Sequence, residues 1–255
     1  DQPRSRGLGD VYKRQFLQFA TGGAKRLSYA ASFGKTNFDA ATTRVYQQML
    51  ASYDKITVRE DSAVQMLESW GAKNCYGQVL DPTLLLSADE WIDLLVYEEM
   101  QIKYASQKYI LVYQIHNDRQ LSSYALRLAA HTGLKLLRVN PFMHQVHRGG
   151  KFVLCPDVTE FLSLIKNATY IVTDSFHGTC FSLTFEKQFI EVLPNNTTGT
   201  RNQSILALTG LSNRIVYDFD DFSIINRMIN YQPVREILAK ERGRSVKMLK
   251  CLLNS

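Results

Sequence analysis

The chain has 255 residues, of which 45% are apolar and 21% charged, and this composition is ordinary for a folded globular protein. The formal net charge of +6 is a mild basic excess that suits an anionic small molecule or an anionic membrane face. The sequence contains no basic run or basic–aromatic repeat, which argues against nucleic acid as a partner. No apolar run approaches the roughly 20 residues of a spanning helix, so we expect neither a transmembrane segment nor a secretory leader.

The first 15 residues differ in character from the rest. Residues 10–15, Asp-Val-Tyr-Lys-Arg-Gln, look like the translation of an adapter used in preparing sequencing libraries. We therefore predict that residues 1–15 are not native, that the native sequence starts at Phe16, and that the reading frame is a fragment. Such a segment carries no weight in predicting the fold.

Residues 16–100 alternate between strand and helix patterns. Ser62 followed by Gln65 has the spacing of a capping box, and Gly71 is the type of residue that ends a helix. Residues 98–108 are polar and weakly patterned, so we place a domain boundary between residues 100 and 101. The predicted strands are residues 26–31, 55–58 and 78–80, and the predicted helices are residues 42–52, 62–71 and 88–96.

Residues 101–255 continue the same alternation and are predicted to form a second domain. Within it, residues 140–155 have a loop composition, and Asp157 with Glu160 has capping-box spacing. The predicted strands are residues 109–114, 135–139, 170–173, 188–193 and 214–217. The predicted helices are residues 121–131, 157–166, 179–185, 201–209, 222–229 and 234–253.

The cysteines and histidines do not form a metal-binding pattern. The four cysteines are scattered without a Cys-x-x-Cys pair, which argues against a zinc site and a disulfide framework and favours a reducing compartment. His144 and His147 lie three residues apart with no carboxylate or cysteine in step, so we interpret them as part of a solvated loop. We expect no metal and no cofactor.

Alternating strands and helices are typical of parallel sheets covered by helices on both faces. Residues 170–185 are the most informative part of this pattern. A β-branched run, Tyr-Ile-Val-Thr, is followed by Asp174, Ser175 and Gly178, and then by a short apolar helix. Ligands bind outside the carboxyl ends of such strands, and a helix start attracts anions. His177 would meet a bound anion there.

Other interpretations of this stretch remain open. Asp174 and Ser175 are also residues that cap helices, and His177 is also compatible with a purely structural histidine. Cys180 has the position of a nucleophile beside the turn, but a small buried helix residue is the simpler interpretation.

The sequence Thr-Asp-Ser-Phe-His-Gly-Thr-Cys-Phe-Ser, which begins at Thr173, closely resembles the signature of the polysaccharide pyruvyl transferase family. The resemblance extends over most of the chain, and its motifs keep the order and spacing of the family. The other stretches that carry it are residues 27–34, 56–60, 79–86, 161–189 and 201–214.

This resemblance implies an enzyme that transfers the enolpyruvyl group of phosphoenolpyruvate to a sugar as a cyclic ketal. It also implies two Rossmann-like parallel-sheet units that face a cleft, as in glycosyltransferase-B folds. The first unit is expected to be truncated, because family members carry roughly a hundred more residues before this point, including a Gly-rich opening strand. A sheet without its early strands exposes an unpaired edge.

The resemblance also assigns roles to residues of this chain. His177 is the candidate acid or base, and Glu60 is a weaker candidate base for the acceptor hydroxyl. The other assignments concern the anionic groups of the donor, for which arginine forks and N–H groups are suitable partners. The residues assigned to these anionic groups are Arg59, Ser175, Gly178, Thr179 and Arg201. For Arg59, the alternative role is a surface ion pair with Glu60 or Asp61. Arg214 is expected to be structural, and Asp81 to shape a turn.

The expected partners are phosphoenolpyruvate and a glycan or lipid-linked saccharide, in the cytoplasm or peripherally at the inner face of the membrane. Two alternatives stay open. A nucleotide-sugar glycosyltransferase has the same architecture, and fold alone does not decide function. A truncated chain could also be an inactive fragment that acts only as a binding module.

Overall fold

The computed structural model describes residues 16–94, 104–194 and 199–254. The chain divides into two compact units, one formed by residues 1–81 with 244–255 and the other by residues 82–243. The predicted domain boundary at residues 100–101 and the predicted non-native residues 1–15 lie outside the described residues. The division before Pro82 reflects packing within the second unit, where Trp91 makes an edge contact with Phe181 at 5.5 Å between ring centroids.

The first unit contains a three-stranded parallel sheet in the order β1-β2-β3. Its apolar core includes Leu50, Ile56, Val58 and Leu67. Its strands are β1 (Leu27–Ala31), β2 (Lys55–Val58) and β3 (Cys75–Gln78), and its helices are α1 (Ala40–Leu50) and α2 (Asp61–Ser69).

The second unit contains a five-stranded sheet whose strands are all parallel. Its strands are β4 (Tyr109–Tyr113), β5 (Lys135–Asn140), β6 (Lys151–Leu154), β7 (Tyr170–Thr173) and β8 (Gln188–Glu191). Its helices are α3 (Ala88–Leu94), α4 (Arg119–Thr132), α5 (Val158–Asn167), α6 (Phe176–Thr184) and α7 (Thr200–Leu208). The last helix, α8 (Tyr231–Leu253), contributes residues to both units.

Local sequence explains where these helices begin and end. Asp118 and Asp157 cap α4 and α5 by accepting hydrogen bonds from N–H groups of the first turn. Gly133 ends α4 with φ of 69°, a left-handed conformation that glycine adopts without strain. Parallel sheets covered by helices confirm the predicted α/β class.

Three predicted elements are wrong. Residues 151–154 form the edge strand β6 inside a segment predicted to be a loop, and pairing with β5 stabilises this short strand. The predicted strand 214–217 is instead a 3₁₀ turn, Ser212–Arg214, followed by a single parallel bridge from Ile215 to Glu191. The predicted helix 222–229 is reduced to a 3₁₀ turn, Ser223–Asn226, which supplies a carbonyl to the buried Arg214.

The start of α2 also differs from the prediction. The helix begins at Asp61 with Glu60 as its N-cap residue, and Ser62 lies inside its first turn. The Glu60 side chain does not cap the helix, because its Oε1 accepts hydrogen bonds from residues 32–34. The Ser62–Gln65 capping box is therefore wrong.

None of the helices in the described ranges combines the length and the apolar character that crossing a bilayer requires.

Candidate functional site

The strand order of the second sheet creates a switch point. The order is β6-β5-β4-β7-β8, so β4 pairs with β5 on one side and with β7 on the other. From β4 the chain continues to β5 on one side, and from β7 it continues to β8 on the other side, so the connections run in opposite directions. In open α/β sheets, ligands bind in the crevice outside the carboxyl ends of the strands at this point. The segments that leave β4 and β7 here are residues 114–118 and 174–177.

Asp174 joins these two segments. Its carboxylate accepts hydrogen bonds from the Ile115 N–H at 2.7 Å and the His116 N–H at 3.0 Å. His116 Nδ1 also lies 3.3 Å from Asp174 Oδ2. Burial raises the pKa of Asp174, although the two N–H groups and His116 favour its charged form. The sequence suggested a helix cap, but Asp174 instead holds the loop after β4.

Ser175 is the N-cap of α6. Its hydroxyl accepts a hydrogen bond from the Gly178 N–H at 3.3 Å, and its carbonyl accepts one from the Thr179 N–H at 3.0 Å. Both N–H groups predicted to bind phosphate therefore have acceptors within the helix. This geometry favours the capping interpretation of Ser175. Burial raises the pKa of Tyr113, and the nearby Ser175 side chain lowers it by a smaller amount.

His177 lies in the first turn of α6 and its side chain is exposed, as a proton-transfer role requires. Its ring contacts Phe176 at 5.6 Å between centroids. Arg201, in the first turn of α7, places its guanidinium carbon 5.5 Å from the centroid of the same Phe176 ring. The buried Phe176 thus brings together the predicted acid–base residue and the predicted donor-side arginine. Cys180, on the same helix, is fully buried, which confirms its interpretation as a core residue.

Glu191 forms a buried polar network that the sequence did not indicate. Its Oε2 lies 2.5 Å from Thr179 Oγ1, and its Oε1 accepts a hydrogen bond from Asn202 Nδ2 at 2.5 Å. Burial raises the pKa of Glu191, and these hydrogen bonds lower it by a smaller amount, so that the pKa is about 8. The Thr179 hydroxyl has a second acceptor in the Ser175 carbonyl at 3.1 Å. The Thr179 hydroxyl carries one proton and can donate it to only one of these two acceptors. If Glu191 is protonated and donates to Thr179, the hydroxyl donates to the Ser175 carbonyl and each group in the network has a partner.

Replacing Glu191 with glutamine is expected to change how stability depends on pH. Because the pKa of Glu191 is raised from 4.5 to about 8, its contribution to stability is complete below pH 4.5 and is lost as pH rises through 8. The loss has a limiting slope of about 1.4 kcal/mol per pH unit. The amide cannot ionise, so Glu191→Gln should lose less unfolding free energy than wild type between pH 6 and pH 8.

Urea unfolding at the two pH values measures this difference. Glu236→Gln is the matched control, because Glu236 is exposed on α8 and its replacement should leave the wild-type pH dependence unchanged. A Glu191→Gln variant whose stability falls as steeply as that of wild type would show that Glu191 is ionised in the folded protein.

The two candidates in the first unit are both engaged in local contacts. Arg59 forms an ion pair with Asp81, with Nη1 and Oδ2 2.5 Å apart and both side chains mostly buried. The partner is therefore Asp81, where the sequence suggested Glu60 or Asp61. Glu60 is 1% exposed, and its Oε1 accepts hydrogen bonds from Ser32 Oγ and from the Phe33 and Gly34 N–H groups.

His116, Tyr113 and Glu191 were missed by sequence reasoning. Each lies in or just after the end of a predicted strand, which is the one sequence signal that could have identified them. Their contacts join segments far apart in the chain, and no local pattern encodes which strand ends become neighbours.

Comparisons with known proteins concern the family and the fold of the chain. Residues 4–197 match the family model described as polysaccharide pyruvyl transferase. A search of curated proteins finds no match. Many solved structures resemble the chain at low sequence identity, so these likenesses concern the fold alone.

Three of these solved structures illustrate the shared fold. UDP-GlcNAc 2-epimerase from Neisseria meningitidis, bound to UDP-GlcNAc, has a TM-score of 0.58 and 13% identity, with 94% of this chain and 71% of that chain covered. S. aureus MnaA with UDP has a TM-score of 0.54 and 15% identity, covering 92% and 64%. The Methanocaldococcus jannaschii UDP-GlcNAc 2-epimerase with UDP-GlcNAc and UDP has a TM-score of 0.50 and 15% identity, covering 78% and 61%. The chain thus spans 61–71% of these structures, and the predicted Rossmann-like, glycosyltransferase-B-like fold class is confirmed.

Proposed function

Because the chain belongs to the polysaccharide pyruvyl transferase family, we propose that it transfers the pyruvyl group of phosphoenolpyruvate to a sugar of a polysaccharide or its precursor. The product is a cyclic ketal in which C2 of the pyruvyl group bridges two sugar hydroxyls. The main support is that Arg201 and the exposed His177 both contact the ring of Phe176 at the carboxyl edge of the sheet. Incubating the protein with phosphoenolpyruvate and candidate glycans, and measuring phosphate release together with the ketal methyl signal by NMR, tests this proposal.

The donor has two anionic groups, a phosphate and a carboxylate, so its binding requires several cations or N–H donors. Arg201 carries a planar fork that can form two parallel hydrogen bonds to either group. The start of α6 adds the partial positive charge of a helix N-terminus. Since Ser175 already caps the N–H groups of Gly178 and Thr179, we assign the phosphate chiefly to Arg201 and to the field of this helix. Arg59, which is paired with Asp81, is also proposed as a substrate-binding residue.

The reaction also moves protons. Each of the two acceptor hydroxyls loses one proton, C3 of the enolpyruvyl group gains one to become a methyl group, and the departing phosphate takes the other. An imidazole titrates in the range where both the acid and the base form are available. His177 is the proposed acid–base group because its ring is exposed at the helix start that would face the donor. The contacts of Glu60 with residues 32–34 favour a structural role for that carboxylate.

The acceptor is proposed to be a glycan or a lipid-linked saccharide, used in the cytoplasm or peripherally at the inner face of the membrane. The second candidate function is transfer from a nucleotide sugar, which is favoured by the fold shared with proteins whose structures contain UDP-GlcNAc or UDP. Thermal unfolding with phosphoenolpyruvate or with UDP-sugars separates the two, since only the true donor should raise Tm. If neither raises Tm, the chain does not bind a donor by itself, as expected of an inactive fragment.

Replacing Arg201 with alanine is expected to raise the KM for phosphoenolpyruvate by about 10- to 100-fold, because a charge-assisted hydrogen bond contributes about 1.5–3 kcal/mol. The KM for the acceptor should change little. Initial rates over a matrix of donor and acceptor concentrations measure both constants. Arg227→Ala is the matched control, because Arg227 is an exposed arginine directly after the 3₁₀ turn that precedes α8. An unchanged donor KM in Arg201→Ala would remove Arg201 from the donor site.

A further inference from the structure

A second imidazole lies at the switch point, on the loop that leaves β4. The Asp174 carboxylate accepts a hydrogen bond from the His116 main-chain N–H at 3.0 Å, and its Oδ2 lies 3.3 Å from His116 Nδ1. Asp174 itself is 1% exposed and is also held by the Ile115 N–H. The loop that carries the imidazole is therefore held by a buried carboxylate just after the neighbouring strand, β7.

The His116 ring points one edge inward and the other outward. Nδ1 is buried 3.3 Å from Asp174 Oδ2 without an aligned hydrogen-bond partner among the described residues, while 32% of the side chain is exposed. The exposed part is therefore the edge away from Nδ1, which carries Nε2. The Asp174 carboxylate is within reach of Nδ1–H, and donation to it fixes the neutral ring in the tautomer with a free electron pair on Nε2. Such a ring can accept a proton at its exposed edge.

His177 and His116 belong to the same edge of the sheet. Asp174 precedes His177 by three residues and contacts His116, so one short segment after β7 connects both imidazoles. The proposed reaction has two proton destinations, C3 of the enolpyruvyl group and the departing phosphate oxygen, which are two different substituents of C2. One group that serves both positions would have to move between them.

We propose that His116, oriented by Asp174, is the second proton-transfer residue of this site, an inference that rests on the proposed pyruvyl transfer. His177 protonates C3 and receives the proton of the first sugar hydroxyl as that oxygen bonds to C2. His116 Nε2 then takes the proton of the second hydroxyl as its oxygen bonds to C2. The C2–O bond to phosphate breaks with its electron pair on the phosphate oxygen, which receives that proton from His116.

Two conservative variants separate this role from a structural one. His116→Asn keeps an N–H donor near the position of Nδ1 and removes Nε2, so a residue that only holds Asp174 would be replaced successfully. If His116 transfers a proton, kcat should fall by about 100-fold or more while the donor KM changes by less than about threefold. Asp174→Asn, which disturbs the orientation of the ring, should lower kcat with little change in donor KM. His147→Asn is the matched control on an exposed loop and should retain the wild-type kcat.

A measurement that needs no turnover accompanies the kinetics. The ¹⁵N chemical shifts of the five histidines report the tautomer of each ring, and His116→Asn identifies the His116 signals. We expect the neutral His116 ring to carry its proton on Nδ1. A ring protonated on Nε2, or a His116→Asn variant with wild-type kcat, would overturn the inference and leave the proposed function intact. If wild-type protein forms no ketal with any glycan, the proposed function fails and this inference fails with it.

Discussion

Replacing His177 with asparagine is expected to lower the rate of pyruvyl transfer by about 100-fold or more and to change the free energy of unfolding by less than about 0.5 kcal/mol. The two effects separate because the ring is exposed in the first turn of α6, where it contributes little to the core. Asparagine is also a small polar residue that an exposed first turn tolerates. Loss of activity would therefore reflect loss of the imidazole.

Steady-state assays of phosphate release and urea unfolding measure the two quantities on the same preparation. His147→Asn serves again as the control, since it removes an exposed imidazole from the loop before β6. If His177→Asn forms ketal at the wild-type rate, His177 is not the acid–base residue. If it unfolds at much lower urea, the ring has a structural role that its exposure does not indicate.

Replacing Gly178 with alanine is expected to destabilise the protein by at least about 2 kcal/mol and to abolish transfer. A methyl group on Gly178 would overlap Thr173 Oγ1 and lie 3.0 Å from Tyr113 Cδ1. Thr173 cannot move away easily, because its hydroxyl donates to the Tyr113 carbonyl and accepts from the Ser175 N–H. The first turn of α6 would shift, and His177 with it. Glycine is therefore required by the close approach of helix and strands.

Gly243→Ala is the matched control. Gly243 lies inside α8, is exposed, and has open space around the position of an added methyl group. Because glycine in a helix is about 1 kcal/mol less favourable than alanine, this replacement should stabilise the protein slightly. Chemical unfolding of both variants measures the contrast. A Gly178→Ala variant with wild-type stability would mean that α6 packs less closely on β4 and β7 than the structure shows.

Local sequence determined the elements of this protein and much of its chemistry. The β-branched run before Asp174 predicted β7, and Ser175, Asp157 and Gly71 marked helix ends, because strand propensity and capping act within a few residues. The signature around His177 predicted the family, which the family model supports over residues 4–197. Short elements were less predictable, since β6 is stabilised by its partner strand more than by its own four residues.

Only the tertiary structure decided which strand ends meet. The Asp174–His116 contact joins residues 58 positions apart, and the Thr179–Glu191 contact depends on how α6 packs beside β8. Hydrophobic periodicity shows which residues are buried in a strand, but it does not show which strand lies beside it. The order β6-β5-β4-β7-β8 supplied that information and placed a second histidine at the same edge of the sheet as the predicted one. Burial then set the protonation of Glu191, because the pKa of a carboxyl depends on the solvent that the folded chain excludes.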